Sequence, residues 1–81
     1  MTAKAFILIE TVVGSNKAVV SALKQIDGVK SVDTVTGPYD VIAIVAGETL
    51  NDIGHLASAK IHPIAGISRT VTCLAIEEDK K

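Results

Sequence analysis

Apolar positions along the chain recur with two different periods, and the changes between them mark out the elements. Residues Ala5 to Val12 are rich in β-branched side chains and predict a strand, which Gly14 breaks. Val19, Ala22, Leu23 and Ile26 then recur at three- and four-residue spacing, so the stretch Asn16 to Ile26 predicts a helix with one apolar face. Ser15 stands where a helix cap is expected, and Gly28 supplies the stop. Val29 to Thr36 predicts a second strand with a mixed face, and Gly37-Pro38-Tyr39 a turn. Asp40 to Ala46 predicts a short apolar strand. Thr49 with Asp52 forms a capping box, using Asp where Glu is usual. Leu50, Ile53, Leu56, Ala57 and Ile61 trace a second helical face, weakened at Gly54 and ended near Ile61 by Pro63. Ile67 to Ile76 predicts the last strand.

The two halves echo each other. At an offset of 38, Leu23 falls on Ile61, Ile26 on Ile64, Gly28 on Gly66 and Val29 on Ile67. A doubled β-α-β unit with right-handed crossovers places both helices on one face of a four-stranded antiparallel sheet. The expected fold is therefore α+β and ferredoxin-like, β-α-β-β-α-β.

That sheet has an unusual pattern. Val41, Ala43 and Val45 share one face of the third strand, and Ile42, Ile44 and Ala46 the other. In the first strand Phe6 and Leu8 oppose Ala5, Ile7 and Ile9. A sheet covered by helices on one side should alternate apolar with polar residues. Here both faces are apolar, so a second copy of the sheet is the expected cover and a homo-oligomer is expected; the alternative is that the small Ala residues leave that face tolerably exposed.

Composition narrows the classes of function. The 81 residues make one small domain, and the apolar runs are far shorter than the roughly 20 residues that span a bilayer. No segment resembles a secretory signal, so a cytoplasmic setting is expected. Eight Lys+Arg against nine Asp+Glu give a net charge of −1, and aromatic residues make up 2%. Both argue against nucleic-acid binding, which needs a basic surface and, for single strands, stacking rings. The lone Cys73 excludes an internal disulfide and a cysteine-based metal cluster, and is expected to be a buried structural residue.

Candidate catalytic groups are few. His55 and His62 could serve as base or ligand, but no Cys, Asp or Glu stands at metal-ligand spacing beside them, and surface histidines are the plainer reading. Ser15 and Ser31 lack triad partners, and Gly14 stands alone rather than in a phosphate loop. No catalytic residue, metal or cofactor is expected. The remaining constellation is the loop 36–40. Asp40, where an exposed turn enters a buried strand, can accept from an ammonium group, while nearby backbone N–H groups can hold a carboxylate. A β-turn with its aspartate hydrogen-bonded inward is the alternative.

Several stretches together resemble one family. They are the opening AFILI, the run Gly28-Val29…Val32…Val35-Thr36-Gly37, Tyr39-Asp40, the run Lys60-Ile61…Ile64…Gly66-Ile67, and the closing Thr70-x-Thr72. The chain resembles the effector-binding domain of the Lrp/AsnC transcription regulators, also called RAM, over nearly its whole length. The resemblance implies a ferredoxin-like fold, dimers formed through facing sheets, and dimers assembled into rings with small amino acids bound between them. It implies ligand-binding roles for Gly37, Tyr39, Asp40, Thr70 and Thr72, with Asp40 meeting the ligand's ammonium. Full-length regulators carry a helix-turn-helix domain before this one. Here the first strand begins near Ala5, so a stand-alone domain of residues 1–81 is expected, without direct DNA binding and with full-length regulators as possible assembly partners. The alternatives are an amino-acid-binding module of the ACT type and a small cofactor-free enzyme of the dimeric ferredoxin-like barrel type.

Overall fold

The computed structural model describes residues 3–76. Strand β1 spans Ala3–Thr11, helix α1 Asn16–Lys24, β2 Val29–Thr34, β3 Val41–Gly47, α2 Leu50–Leu56 and β4 Ile67–Leu74. The strands form one sheet in the order β2-β3-β1-β4, antiparallel at every pairing. The fold is ferredoxin-like. The charged run Glu77 to Lys81, which by sequence reads as a solvated end, lies outside the described residues.

The alternation along β1 and β3 decides how the layers form. Ala5, Ile7 and Ile9 face Val45, Ala43 and Val41 across the β1–β3 ladder, and all are fully buried. Val19 and Leu23 of α1 and Ile53 of α2 close over them, with Ala57 and Ile61 beyond α2. No described polar or charged side chain is buried with these residues. The other face of the same strands carries Phe6, Leu8, Ile42, Ile44 and Ala46, which are only half-buried. Cross-strand partners share a face. Val71 and Cys73 of β4 therefore lie beside Leu8 and Phe6 on this open side.

The structure departs from the expected pattern at three places. Ser15 does not cap α1: it sits at φ −100° and ψ 0° and its side chain makes no cap hydrogen bond. A cap residue normally takes extended angles so that its oxygen can swing back over the first turn. Ser15 lies beside Gly66, so close that a side-chain carbon added to that glycine would come within 2.8 Å of Ser15 Cβ. Cys73 is exposed, not buried. It lies on an edge strand, on the sheet face that the helices leave open. Finally, α2 does not run evenly to Ile61. Residues Ala57–Ile61 form a π-helical turn, closed by the N–H of His62 on the carbonyl of Ala57 at 2.8 Å. Ile53, Ala57 and Ile61 are spaced by four, and an α-helix rotates such a series by about 40° per step. The wider turn corrects that drift and keeps Ala57 and Ile61 in the core. The Thr49–Asp52 capping box is present in both directions, with Asp52 N–H donating to Thr49 Oγ1 at 3.1 Å and Thr49 N–H to Asp52 Oδ2 at 3.2 Å.

Candidate functional site

The loop between β2 and β3 is shaped by its own chemistry. Gly37 takes φ +130°, and a side chain there would meet nothing within 4 Å, so the glycine serves the backbone angle. Pro38 follows, and the chain closes through Val35 N–H donating to the Asp40 carbonyl at 2.9 Å. Asp40 then donates its own N–H to the Ile9 carbonyl at 2.9 Å, which locks the loop onto β1.

The Asp40 side chain completes the join. Its Oδ2 accepts the Thr11 N–H at 2.9 Å and stands 3.3 Å from the Thr11 hydroxyl. That hydroxyl lies closer, at 2.7 Å, to Asn16 Oδ1 in the first turn of α1. The register of β1 against β4 shifts between Glu10 and Thr11, and Asp40 satisfies the N–H beside that irregularity. One carboxylate oxygen is thus committed to the fold. Among the described residues no donor reaches the other.

Tyr39 is half-buried, and its hydroxyl accepts from Arg69 Nη2 at 3.2 Å. The guanidinium also lies 6.0 Å from the centre of the Tyr39 ring, and its Nε stands 3.5 Å from Glu10 Oε2. Arg69 is held further above its ordinary pKa, first by the hydrogen bond to Tyr39 and then by the charge of Glu10. Glu10 and Arg69 are cross-strand partners and lie on the open face of the sheet.

Thr70 and Thr72 are placed differently. Their partners are Ile9 and Ile7, so both lie on the helix side of β4, where neither helix covers the edge of the sheet. Thr72 is exposed. Thr70 Oγ1 stands 2.9 Å from His62 Nε2. His62, Ile67, Ser68, Arg69 and Thr70 line a shallow hollow of about 230 Å³. A larger and mostly apolar hollow of about 470 Å³ lies against α1 and β2, lined by Asn16, Lys17, Val20, Ser21 and Thr34.

The residues expected to bind a ligand therefore form two groups. Gly37, Tyr39 and Asp40 share the β2–β3 loop, whereas Thr70 and Thr72 share the opposite side of β4. Ile9 is the residue between them, bonded to Asp40 on one side and paired with Thr70 on the other. Arg69 and His62 were not expected in this neighbourhood. Strand pairing alone brings Arg69 to Tyr39 across 30 positions of sequence, and the one signal for it in the sequence is the opposite charge of Glu10. Among the described residues, no group of three His, Cys, Asp or Glu side chains could hold a metal ion. No helix among them is long and apolar enough to cross a membrane.

Comparison with known proteins bears on this geometry. The chain is similar to a Thermus thermophilus protein of known structure, with 29% identity, a TM-score of 0.93, and coverage of 98% of this chain and 99% of that one. It is similar to a hypothetical protein of Pyrococcus horikoshii, with 36% identity, a TM-score of 0.86, and coverage of 96% and 93%. A transcriptional regulator of Neisseria meningitidis, solved as a complex with L-Met, shares the fold at 16% identity and a TM-score of 0.86. Those matched residues cover 98% of this chain and 53% of the regulator. No curated protein matches the chain. The family model described as the Lrp/AsnC ligand binding domain matches residues 4–81, and the chain belongs to that family.

Proposed function

We propose that this chain is a non-enzymatic effector-binding module that takes a small amino acid at a contact between subunits and responds through its assembly. Asp40 carries this reading. One of its oxygens is fixed by Thr11, and the other has no donor among the described residues, which suits it to an incoming ammonium. The separation of the Asp40 loop from Thr70 and Thr72 supports a site completed by a second chain. Val12 and Val13, 52% and 99% exposed just beyond Thr11, offer apolar contact at the same end. The apolar open face, with Phe6, Leu8, Ile42 and Ile44, is the proposed dimer surface. The L-Met complex of the Neisseria regulator supports an amino acid as the ligand class. Ligand binding alters assembly only if one assembled state binds more tightly than another. Shared assembly with full-length regulators in the cytoplasm, without direct DNA binding, completes the proposal.

A thermal-shift screen of the amino acids, with molar mass followed by light scattering, should find a ligand and a mass above that of one chain. Asp40→Asn is the informative substitution, because its amide oxygen can still accept from Thr11 while the charge is lost. A charge-assisted hydrogen bond contributes about 1.5–3 kcal/mol, so the affinity measured by calorimetry should fall roughly 10- to 150-fold. Equal affinity in parent and variant, with both folded, would sink the assignment of Asp40.

A further inference from the structure

The loop that carries Asp40 is tied to β4 by a side chain 30 positions further along the sequence than Tyr39. Arg69 lies next to Thr70 in sequence but points to the opposite face of the sheet. From there it donates to the Tyr39 hydroxyl at 3.2 Å and lies 6.0 Å from the centre of the Tyr39 ring. Its Nε is held at 3.5 Å from Glu10 on the strand between. The loop around Tyr39 lies between the end of β2 and the start of β3, outside the ladder. Asp40 has backbone bonds to Ile9 and Val35 and a side-chain bond to Thr11. Tyr39, one residue earlier, is held through its side chain by Arg69.

We infer that Arg69 is a positioning residue for the effector loop: it fixes the Tyr39 ring and joins that loop to the strand bearing Thr70 and Thr72. This rests on the reading of that loop and strand as the amino-acid site. A guanidinium is suited to the task for a geometric reason. Its planar fork can donate to the phenol from one nitrogen while another stays with Glu10, and its face can lie near a ring. A lysine at this position has one ammonium and cannot hold both partners in a fixed relation. Arg69 is 60% exposed, so the contacts order the loop more than they stabilise the fold.

The composition provides a direct readout. Tyr39 is the sole tyrosine and the chain has no tryptophan, so intrinsic fluorescence reports on this one ring. The experiment compares the parent with Arg69→Met, Arg69→Lys and Tyr39→Phe. Quenching of Tyr39 by acrylamide should rise in Arg69→Met and remain raised in Arg69→Lys. Calorimetry with the best amino acid from the screen should show a loss of roughly two- to fivefold for Arg69→Met. The same substitution should have a smaller effect in a Tyr39→Phe background, because the shared hydrogen bond is already gone. Melting temperature should stay at the parent's value, which separates positioning from general loss of structure. Because Arg69 lies on the open face proposed for the dimer, a molar mass below the parent's overturns the inference by assigning Arg69 to the subunit contact instead. Unchanged quenching in Arg69→Met overturns the inference whether or not a ligand exists. Raised quenching with unchanged affinity also overturns it, since the ring would then be held for no purpose at the site. If no amino acid binds the parent, the functional reading fails, while the fluorescence still decides whether Arg69 holds the loop.

Discussion

The two halves of this chain run the same course from helix to strand and meet different neighbours on the way. In the first half, Ile26 N–H donates to the Leu23 carbonyl at 3.1 Å and Val29 N–H to the Ile26 carbonyl at 3.2 Å. In the second, Ile64 N–H donates to the Ile61 carbonyl at 3.0 Å and Ile67 N–H to the Ile64 carbonyl at 3.4 Å. Gly28 and Gly66 take φ +98° and +99°. Leu23 and Ile61 are both fully buried. The same four-position pattern thus builds the same joint twice. The helices leading into it differ: α1 is nine regular residues without a side-chain cap, whereas α2 is seven capped residues extended by a π-helical turn. A joint can be repeated while the element before it changes length, because the π turn takes up the difference before Ile61.

The largest expected effect separates the two joints. An alanine Cβ at Gly66 would lie 2.8 Å from Ser15 Cβ, just before α1, and 3.1 Å from Val19 Cγ2, on α1. At Gly28 it would meet the Ala46 carbonyl at 3.4 Å and Leu56 methyls at 3.5 and 3.6 Å, which are ordinary contacts. Both substitutions force an alanine into positive φ, at a cost of about 1–3 kcal/mol. Gly66→Ala adds overpacking of about 1–3 kcal/mol, so denaturant unfolding at fixed protein concentration should show it clearly less stable than Gly28→Ala. Adding Ser15→Gly should recover part of the loss in the first variant and none in the second. Equal destabilisation of the two would mean that backbone angle alone governs both joints.

How much of this was legible beforehand follows from the range of each interaction. The element order, the two-faced strands and the repeated joint are written in local spacing, as in Ala5-Phe6-Ile7-Leu8 or Gly28-Val29 against Gly66-Ile67. The Thr49–Asp52 cap is equally local and was readable. Ser15 offered the same cap chemistry, but its backbone takes φ −100° and ψ 0° beside Gly66, 51 positions away in sequence, and its side chain makes no cap bond. Cys73 read as buried because cysteine usually is, yet its exposure depends on which sheet face the helices cover. At the candidate site, Gly37, Tyr39 and Asp40 were visible as a turn. The Asp40–Thr11 bond spans 29 positions and the Arg69–Tyr39 bond 30, so neither could be read before the strand register was known.

A middle-sized effect contrasts the two helix starts. Thr49 Oγ1 accepts the Asp52 N–H, so Thr49→Ala should cost about 1 kcal/mol. Ser15 makes no such bond, and Ser15→Ala should change stability by less than about 0.5 kcal/mol. Chemical denaturation of the pair measures this difference. A loss at Ser15 as large as that at Thr49 would show that α1 depends on Ser15 in another way.

The smallest expected effect is a gain, and it falls only in the second half. Gly54 interrupts α2, while α1 contains no glycine. A Cβ at Gly54 would meet nothing within 4 Å, and the position is exposed. On these grounds Gly54→Ala should stabilise the chain by about 0.5–1 kcal/mol, through reduced freedom of the unfolded backbone. One feature argues the other way. The Ala57 N–H is shared between the carbonyls of Gly54 and Ile53, at the place where the α-helical ladder gives way to the wider turn. If the glycine were needed to let that ladder change step, alanine would stiffen the helix against the π turn and pull Ile61 from the core. The sign of the change in unfolding midpoint decides between them. A rise shows that the π turn is imposed by the buried spacing of Ile53, Ala57 and Ile61, and a fall assigns it to the backbone freedom of Gly54.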